Sequence, residues 1–466
     1  MEKSKYKRLG IITIFVFVII ALVLILLSNK KEPVSLTMWH VYGEQASSPM
    51  DKLVDDFNET VGSKEGIIIN VTATSNSAEI GEELLDSQAK KSGSKKMPDL
   101  FFCHSGNADD LGIENLVDWE DYFTKEELKA YQEDFLDDGR VGNKLLVFPI
   151  SKSTHMLYIN GSMFARFSEA TGLTYDDLKT WDGFFEVAEK FYEWSDGKAF
   201  CAMDYILREI ELSALSEDPN LSLHNDGGWY DKDNLSFKKH FDKFMKSLVE
   251  GHIIVSDLYA NTQMMTGEVP AGISSSAAVL YYNDIITYPD NTSEDMDLKV
   301  LPLPVDKNEN KFDTLAGTGL CAYKTSEDKA KACAIFAKWL TESERNLDFV
   351  TQTGYMPVRP DAFKKISSMD FENNDYKELY NSLSKMQDDY KFIGESYDYN
   401  KVSSFYGKLR DSQKSFVERY NKGEDLDKLI EECWQMLIGW FRRRSCLVYL
   451  INIKKIPCIG NYLPTW

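Results

Sequence analysis

A chain of 466 residues is too long for one ordinary hydrophobic core, so two lobes are expected. Hydrophobic residues make up 43% and charged residues 27%, the composition of an ordinary globular protein. The net charge is −21, with +5 on the first 31 residues, +5 on the last 26 and so −31 on residues 32–440, which argues against nucleic acid or anionic lipid as partners of the body.

At the N-terminus, Lys3, Lys5, Lys7 and Arg8 precede an apolar run from Ile11 to Leu27. A basic segment followed by an apolar one is a secretory signal, and 17 residues is near the lower limit for crossing a bilayer. The exit, Leu26-Leu27-Ser28-Asn29-Lys30, has neither a small-x-small cleavage site nor a lipoprotein cysteine. Residues 1–31 are therefore expected to remain as an anchor with the N-terminus inside.

Val34–Trp39 reads as a strand. Ser48-Pro49 supplies an N-cap and a first-turn proline, and Met50, Leu53, Val54 and Phe57 repeat at helical spacing. A strand at Ile67–Val71, a helix marked by Ile80, Leu84 and Leu85, and a strand PDLFFC at 98–103 follow. This βαβ alternation predicts a parallel sheet. Ligands of such sheets sit beyond the strand carboxyl ends, where this chain has Trp39, His40, Ser105, Gly106 and Asn107.

LVFPISKSTHMLYIN, 146–160, is two apolar runs parted by small polar residues, without the Asn-Gly or Asp-Gly of a tight hairpin. The pattern returns in VPAGISSSAAVLYY, 269–282, and LAGTGLCAY, 315–323. Three crossings between two lobes are expected, at about 149–153, 272–276 and 316–319. Between them Thr180 caps a predicted helix over WDGFFEVAEKFYEW, and Phe237, Phe241, Phe244, Met245 and Leu248 mark another. LKVLPLP, 298–304, reads as a strand, Ser326 caps a helix with Ala332, Ile335, Phe336, Trp339 and Leu340 on one side, and helices fill most of 342–437. Residues 441–466 have no acid and form an atypical basic tail, too short in apolar run to cross a membrane.

The chemistry-bearing motifs are absent. The seven cysteines form no CxxC pair, and Cys103, Cys321 and Cys333 lie in apolar runs as buried thiols. There is no H-E-x-x-H, no Walker motif, and no G-x-S-x-G, because position 276 is serine. No catalytic residues, metal ligands or cofactor are expected.

In order, SLTMWHVYG, PDLFFC, KLLVFPISKSTHMLYIN, KTWDGFFEVAEKF, TGEVPAGISSS, VLPLP, AGTGLCAYKTSEDKAKACAIFAKWL and TGYMPVRPDAF carry a likeness over about 34–440. The chain resembles the bacterial extracellular solute-binding proteins of carbohydrate ABC transporters, family 1, the maltose-binding-protein-like group. The resemblance implies an α/β, two-lobed periplasmic-binding-protein-like fold of type II, with a ligand cleft between lobes joined by crossover hinge segments. Lobe I would be 34–151 plus 275–317, and lobe II 152–274 plus 318–440. It implies a monomer on the extracellular face of the cytoplasmic membrane, anchored by the N-terminal segment or secreted if that is cleaved. Such a protein captures a sugar or oligosaccharide by hinge closure and delivers it to ABC permease transmembrane subunits. Two features depart from the family: Ser28-Asn29 stands where lipid-anchored members have cysteine, and the tail matches nothing.

A sugar offers hydroxyl edges and apolar faces, so its site needs flat aromatics and convergent polar groups. Trp39 or His40, with Ser105 and Asn107, are candidates at strand ends. Trp229 lies in HNDGGWYDKDN, where it either contacts ligand or packs on its own loop. Asp204-Tyr205 begins a helix after a strand, where the family often places an aromatic contact. Tyr406, beside Phe405, resembles the late helix that supplies a stacking aromatic, with core packing as the alternative. Ser274, Ser275, Gly317 and Thr318 lie at crossings, where small residues either bind ligand or allow bending. Lys152 is a cleft cation or a hinge residue, and Trp181 and Tyr355 look like packing. The same fold could take a polyamine, with Asp204, Asp226 and Asp231 as partners, or a sugar phosphate, with Ser48 and Lys152. It could also serve as an anchored ligand sensor.

Overall fold

The computed structural model describes residues 32–43, 48–77, 79–225, 230–306, 310–366, 368–394 and 399–451. The expected anchor, residues 1–31, lies outside the described residues, as do Asp226 and Trp229. No helix among the described residues is long and apolar enough to cross a membrane.

In chain order the main elements are β1 (Val34–His40), α1 (Pro49–Phe57), β2 (Ile67–Thr74), α2 (Ile80–Gln88), β3 (Leu100–Cys103) and α3 (Ser105–Leu111). Then come β4 (His155–Asn160), α4 (Gly161–Thr171), α5 (Trp181–Trp194), β5 (Cys201–Met203), α6 (Ile206–Glu217), α7 (Leu235–Val249), β6 (Ile253–Ile254), α8 (Ala260–Met265) and β7 (Ala271–Ser275). The last are β8 (Leu298–Leu301), β9 (Phe312–Leu315), β10 (Gly319–Ala322), α9 (Glu327–Leu340), α10 (Asn374–Asp389), β11 (Lys391–Gly394), α11 (Tyr399–Asn421) and α12 (Leu426–Ile451).

The chain divides into two compact units. The first takes the chain up to Lys125, then Val141–Phe148 and Leu320–Glu342. Its sheet has the order β10–β3–β1–β2, with β1 parallel to both β2 and β3. The predicted strand–helix alternation forms because each apolar stripe meets a cap: the Ser48 hydroxyl accepts the Asp51 N–H at 3.2 Å, and Pro49 opens α1. Trp39, Ile80, Leu84, Phe101, Leu111 and Leu146 share one core. Buried Asp99 accepts the Thr37 N–H at 2.9 Å and pairs with Lys329 at 2.7 Å, which joins β1, the start of β3 and α9.

The second unit takes Glu126–Arg140, Pro149–Gly319 and the chain from Ser343. Its sheet has the order β8–β4–β7–β5–β6. β5 is parallel to β6 and β7, while β4 is antiparallel to β7 and to β8. β9 and β11 form a separate parallel pair. The core is aromatic, with Trp181, Phe184, Phe191, Phe237, Phe241, Phe244 and Trp434 in one cluster.

Several expectations about organisation change, and residues 126–140, assigned by sequence to lobe I, lie in the second unit. Residues 275–317, assigned by sequence to lobe I, lie in the second unit, because β8 hydrogen-bonds to β4 over Leu298↔Asn160 to Leu301↔Leu157. Residues 320–342, assigned to lobe II, lie in the first, because β10 joins β3. The stretches 149–153 and 316–319 do coincide with passages of the chain, but 272–276 does not: β7 runs through the second unit with neighbours on both sides. The basic tail also begins inside an element, since α12 continues to Ile451.

Candidate functional site

In the second unit β5, β6 and β7 run in one direction, so their carboxyl ends share an edge, and antiparallel β4 begins there with His155. That edge is where an open sheet with parallel strands binds ligands. The residues beyond it are Asp204 and Tyr205 after β5, Leu258 and Tyr259 after β6, and the turn Ser276–Tyr281 after β7.

Asp204 ties these three segments together. One carboxylate oxygen accepts the Ala260 N–H at 2.9 Å, and the other accepts the Ser274 hydroxyl at 2.5 Å. Its own N–H donates to the Ile273 carbonyl at 3.1 Å. Burial pushes the Asp204 carboxyl up to about 6, against the opposing pull of Ser274, Ala260 and His155. Both oxygens are engaged inside the protein, so Asp204 organises the edge and leaves contact to its neighbours.

Tyr205 stacks on His155 with ring centroids 4.7 Å apart and planes 11° from parallel. The His155 Nδ1 is 2.6 Å from Glu209 Oε1, and both residues are buried. The Tyr205 ring is therefore backed by a fixed imidazole. Tyr259 is 65% exposed and Tyr281 47%, the two most exposed tyrosines among the described residues. The three segments contain no Lys or Arg; Arg410 reaches Asp257, before Tyr259, but as its ion-pair partner at 2.8 Å. Flat aromatic faces and hydroxyls without a basic side chain suit an uncharged polyol better than a phosphate.

Ser274 is spent on Asp204. Ser275 is half-buried; its hydroxyl accepts the Ala277 N–H and its carbonyl accepts from Tyr158. Tyr406 is buried in the core, where its hydroxyl accepts the Leu207 N–H at 3.2 Å and caps the start of α6. Trp181 is a packing residue, as expected.

Lys152 is 1% exposed. Its ammonium meets Asp138 Oδ2 at 2.5 Å and donates to the Gly317 carbonyl at 3.2 Å, while its backbone bridges to Met356. Asp138, Lys152 and Gly317 each lie within a few residues of a passage between the units. Within the second unit, one buried charge therefore ties together three segments that lie close to its chain ends. Gly317 has φ +100°, which side chains rarely adopt, and Thr318 is buried.

In the first unit the candidates are mostly consumed by packing. Trp39 is 1% exposed and donates from its indole nitrogen to the Thr72 hydroxyl at 3.0 Å. His40 is fully buried; Nδ1 accepts the Tyr42 N–H, so Nε2 carries the proton and donates to Asp51 at 3.1 Å. Burial holds its pKa below the usual value despite Asp51. Ser105 and Asn107 are half-buried at the start of α3. The Asn107 carbonyl oxygen accepts the His104 N–H at 3.2 Å, and its amide fills the space that a Cβ at Gly81 would need.

Sequence reasoning missed Tyr259 and Tyr281. The signal for Tyr259 was present, an aromatic in the polar segment Ser256-Asp257-Leu258-Tyr259 after the apolar Ile253–Val255. Tyr281 lay in an apolar run that reads as core.

The family model for bacterial extracellular solute-binding protein matches residues 52–400. No curated protein matches the sequence. Among solved structures, the cyclic alpha-maltosyl-1,6-maltose binding protein from Arthrobacter globiformis superposes with TM-score 0.64 at 14% identity, over 87% of this chain and 98% of that one. The sugar-binding protein MalE from Xanthomonas citri gives 0.63 at 15%, over 89% and 99%. UgpB from Mycobacterium tuberculosis, in complex with glycerophosphocholine, gives 0.59 at 16%, over 89% and 100%. At these identities the likeness shows the two-lobed α/β periplasmic-binding-protein fold.

Proposed function

The chain belongs to the bacterial extracellular solute-binding protein family, and from that premise we propose that it captures a neutral sugar or oligosaccharide by hinge closure and delivers it to an ABC permease. Membership implies a location outside the cytoplasm; residues 1–31 would hold the chain to the membrane's outer face, and it would act as a monomer by binding alone, without catalysis. The observation that carries the sugar reading is the carboxyl edge of the second unit's sheet, where Tyr205, Tyr259 and Tyr281 follow β5, β6 and β7, and Asp204 hydrogen-bonds to Ala260, next to Tyr259, and to Ser274 in β7. Aromatic faces match the C–H faces of a pyranose, and the segments' lack of a basic side chain disfavours phosphate. One relative of this fold, UgpB, carries glycerophosphocholine, so a phosphodiester is the rival ligand.

The test is a thermal-shift screen of residues 32–466 against neutral oligosaccharides, polyamines, sugar phosphates and glycerophosphodiesters. A ligand at 100 times its Kd adds about 2.7 kcal/mol to the native state. A rise confined to one oligosaccharide class supports the reading. A rise only with phosphate esters or polyamines overturns the sugar assignment and leaves the family intact.

A further inference from the structure

Cys103 ends β3 and Cys321 lies in β10, its hydrogen-bonded neighbour in the first unit's sheet. Their sulfurs are 3.4 Å apart, and both residues are 0% exposed. The cysteines are 218 positions apart in sequence, so only the fold brings them together. We propose that Cys103 and Cys321 are a modification site: outside the cytoplasm they are oxidised to a disulfide that clamps β10 to β3.

The geometry allows it. Neighbouring strands lie about 4.8 Å apart, within the ~4.4–6.8 Å Cα separation of disulfides. The sulfurs, 3.4 Å apart on neighbouring strands, close by a little over 1 Å to reach the ~2.05 Å of a bond. The compartment allows it too, because disulfides persist outside the cytosol. The oxidant is a small disulfide of the glutathione type, and the reaction is exchange. One cysteine thiolate attacks the small disulfide, forming a mixed disulfide and releasing one small thiol. The second cysteine then attacks the protein-side sulfur, forming the Cys103–Cys321 bond and releasing the other. The two protein thiols lose two electrons and two protons, which the two released small thiols carry away. Burial in the finished fold places this exchange during folding, while both thiols are open to solvent.

A bond here would join the segment that opens the first unit to the strand by which the chain returns to it. It would also fix the carboxyl end of β3, directly before His104 and α3. The inference depends on the location that family membership implies and not on the identity of the ligand.

The experiment is to refold the full chain with a mixture of reduced and oxidised glutathione, alkylate remaining thiols in denaturant, digest, and map by mass spectrometry. The expected result is a linked peptide pair containing Cys103 and Cys321, two hydrogens lighter than the sum of the free peptides, abolished by dithiothreitol and absent from Cys103→Ser. Cys201, Cys333 and Cys433 should be recovered alkylated. The thermal midpoint of the oxidised chain should exceed that of the reduced chain. Recovery of both peptides alkylated from folded protein, or of Cys103 and Cys321 each as mixed disulfides with glutathione, would overturn the proposal. Cys321→Ser provides a second check, since folded protein of this variant should carry Cys103 alkylated or glutathionylated and never linked.

Discussion

Asp204 accepts two hydrogen bonds from separate segments of the second unit, so its substitutions separate charge from shape. Asp204→Ala leaves the Ala260 N–H and the Ser274 hydroxyl without their acceptor and should cost about 1–3 kcal/mol in denaturant unfolding. Asp204→Asn keeps one acceptor and should cost less. The pH dependence has a definite sign. The carboxyl titrates near 6 in the fold, raised by burial from its ordinary 3.8. Above about 6 both states are ionised and the burial penalty is fully felt; as pH falls from 6 towards 4 the folded state alone is protonated, so this group adds stability. Asp313, pushed to about 7 by burial, acts in the same direction. The thermal midpoint of Asp204→Asn should therefore respond less than the parent's between pH 7 and pH 4.5, and superimposable profiles would refute the assignment. Lys152→Met removes the ion pair to partly exposed Asp138 and the bond to the Gly317 carbonyl and should cost about 1–3 kcal/mol in denaturant unfolding. At this scale the sequence showed that Asp204-Tyr205 stands at a strand end, because the apolar run and helix start are local. It could not show that Trp39 and Tyr406 are buried, because an aromatic at a strand end or on a helix reads alike whether it faces core or ligand.

Helix starts were legible wherever a polar cap precedes an apolar stripe. Thr180 accepts the Gly183 N–H at 3.2 Å at the head of α5, and Ser326 accepts the Lys329 N–H at 3.3 Å at the head of α9. Ser326→Ala should cost about 1 kcal/mol, read as a lower denaturant midpoint with an unchanged slope. Strand partners were not legible. LKVL alternates buried and half-buried positions, which marks β8 as a strand without naming the sheet it joins. Its pairing with β4 is between residues more than a hundred positions apart, and the placement of 275–317 follows from that, as the placement of 320–342 follows from the pairing of β10 with β3. The repeated motif of apolar run and small residues also proved ambiguous. At 149–153 and 316–319 it accompanies a passage between units, where Gly317 takes φ +100°. At 272–276 small residues serve packing instead: a Cβ at Gly272 would meet Ala260 at 2.7 Å, so Gly272 lets α8 lie close on β7. Gly272→Ala should force that helix outward and lower the thermal midpoint.

For the molecule as a whole, two cores and family membership make a solute-binding protein of two units. On the proposed sugar reading the ligand's aromatic contact lies on the loops of the second unit's carboxyl edge rather than on Trp39 or Tyr406, whose rings are inside cores. Tyr259 bears directly on this, because it is 65% exposed and not part of either core. The decisive measurement is calorimetric titration of parent and Tyr259→Ala with the oligosaccharide that gives the largest thermal shift. The expected result is saturable binding to the parent and an affinity lower by about tenfold in the variant, the scale of one aromatic contact, with the ligand-free protein still folded cooperatively. Equal affinity in the two proteins, or titration heat only with phosphate esters or polyamines, would contradict it.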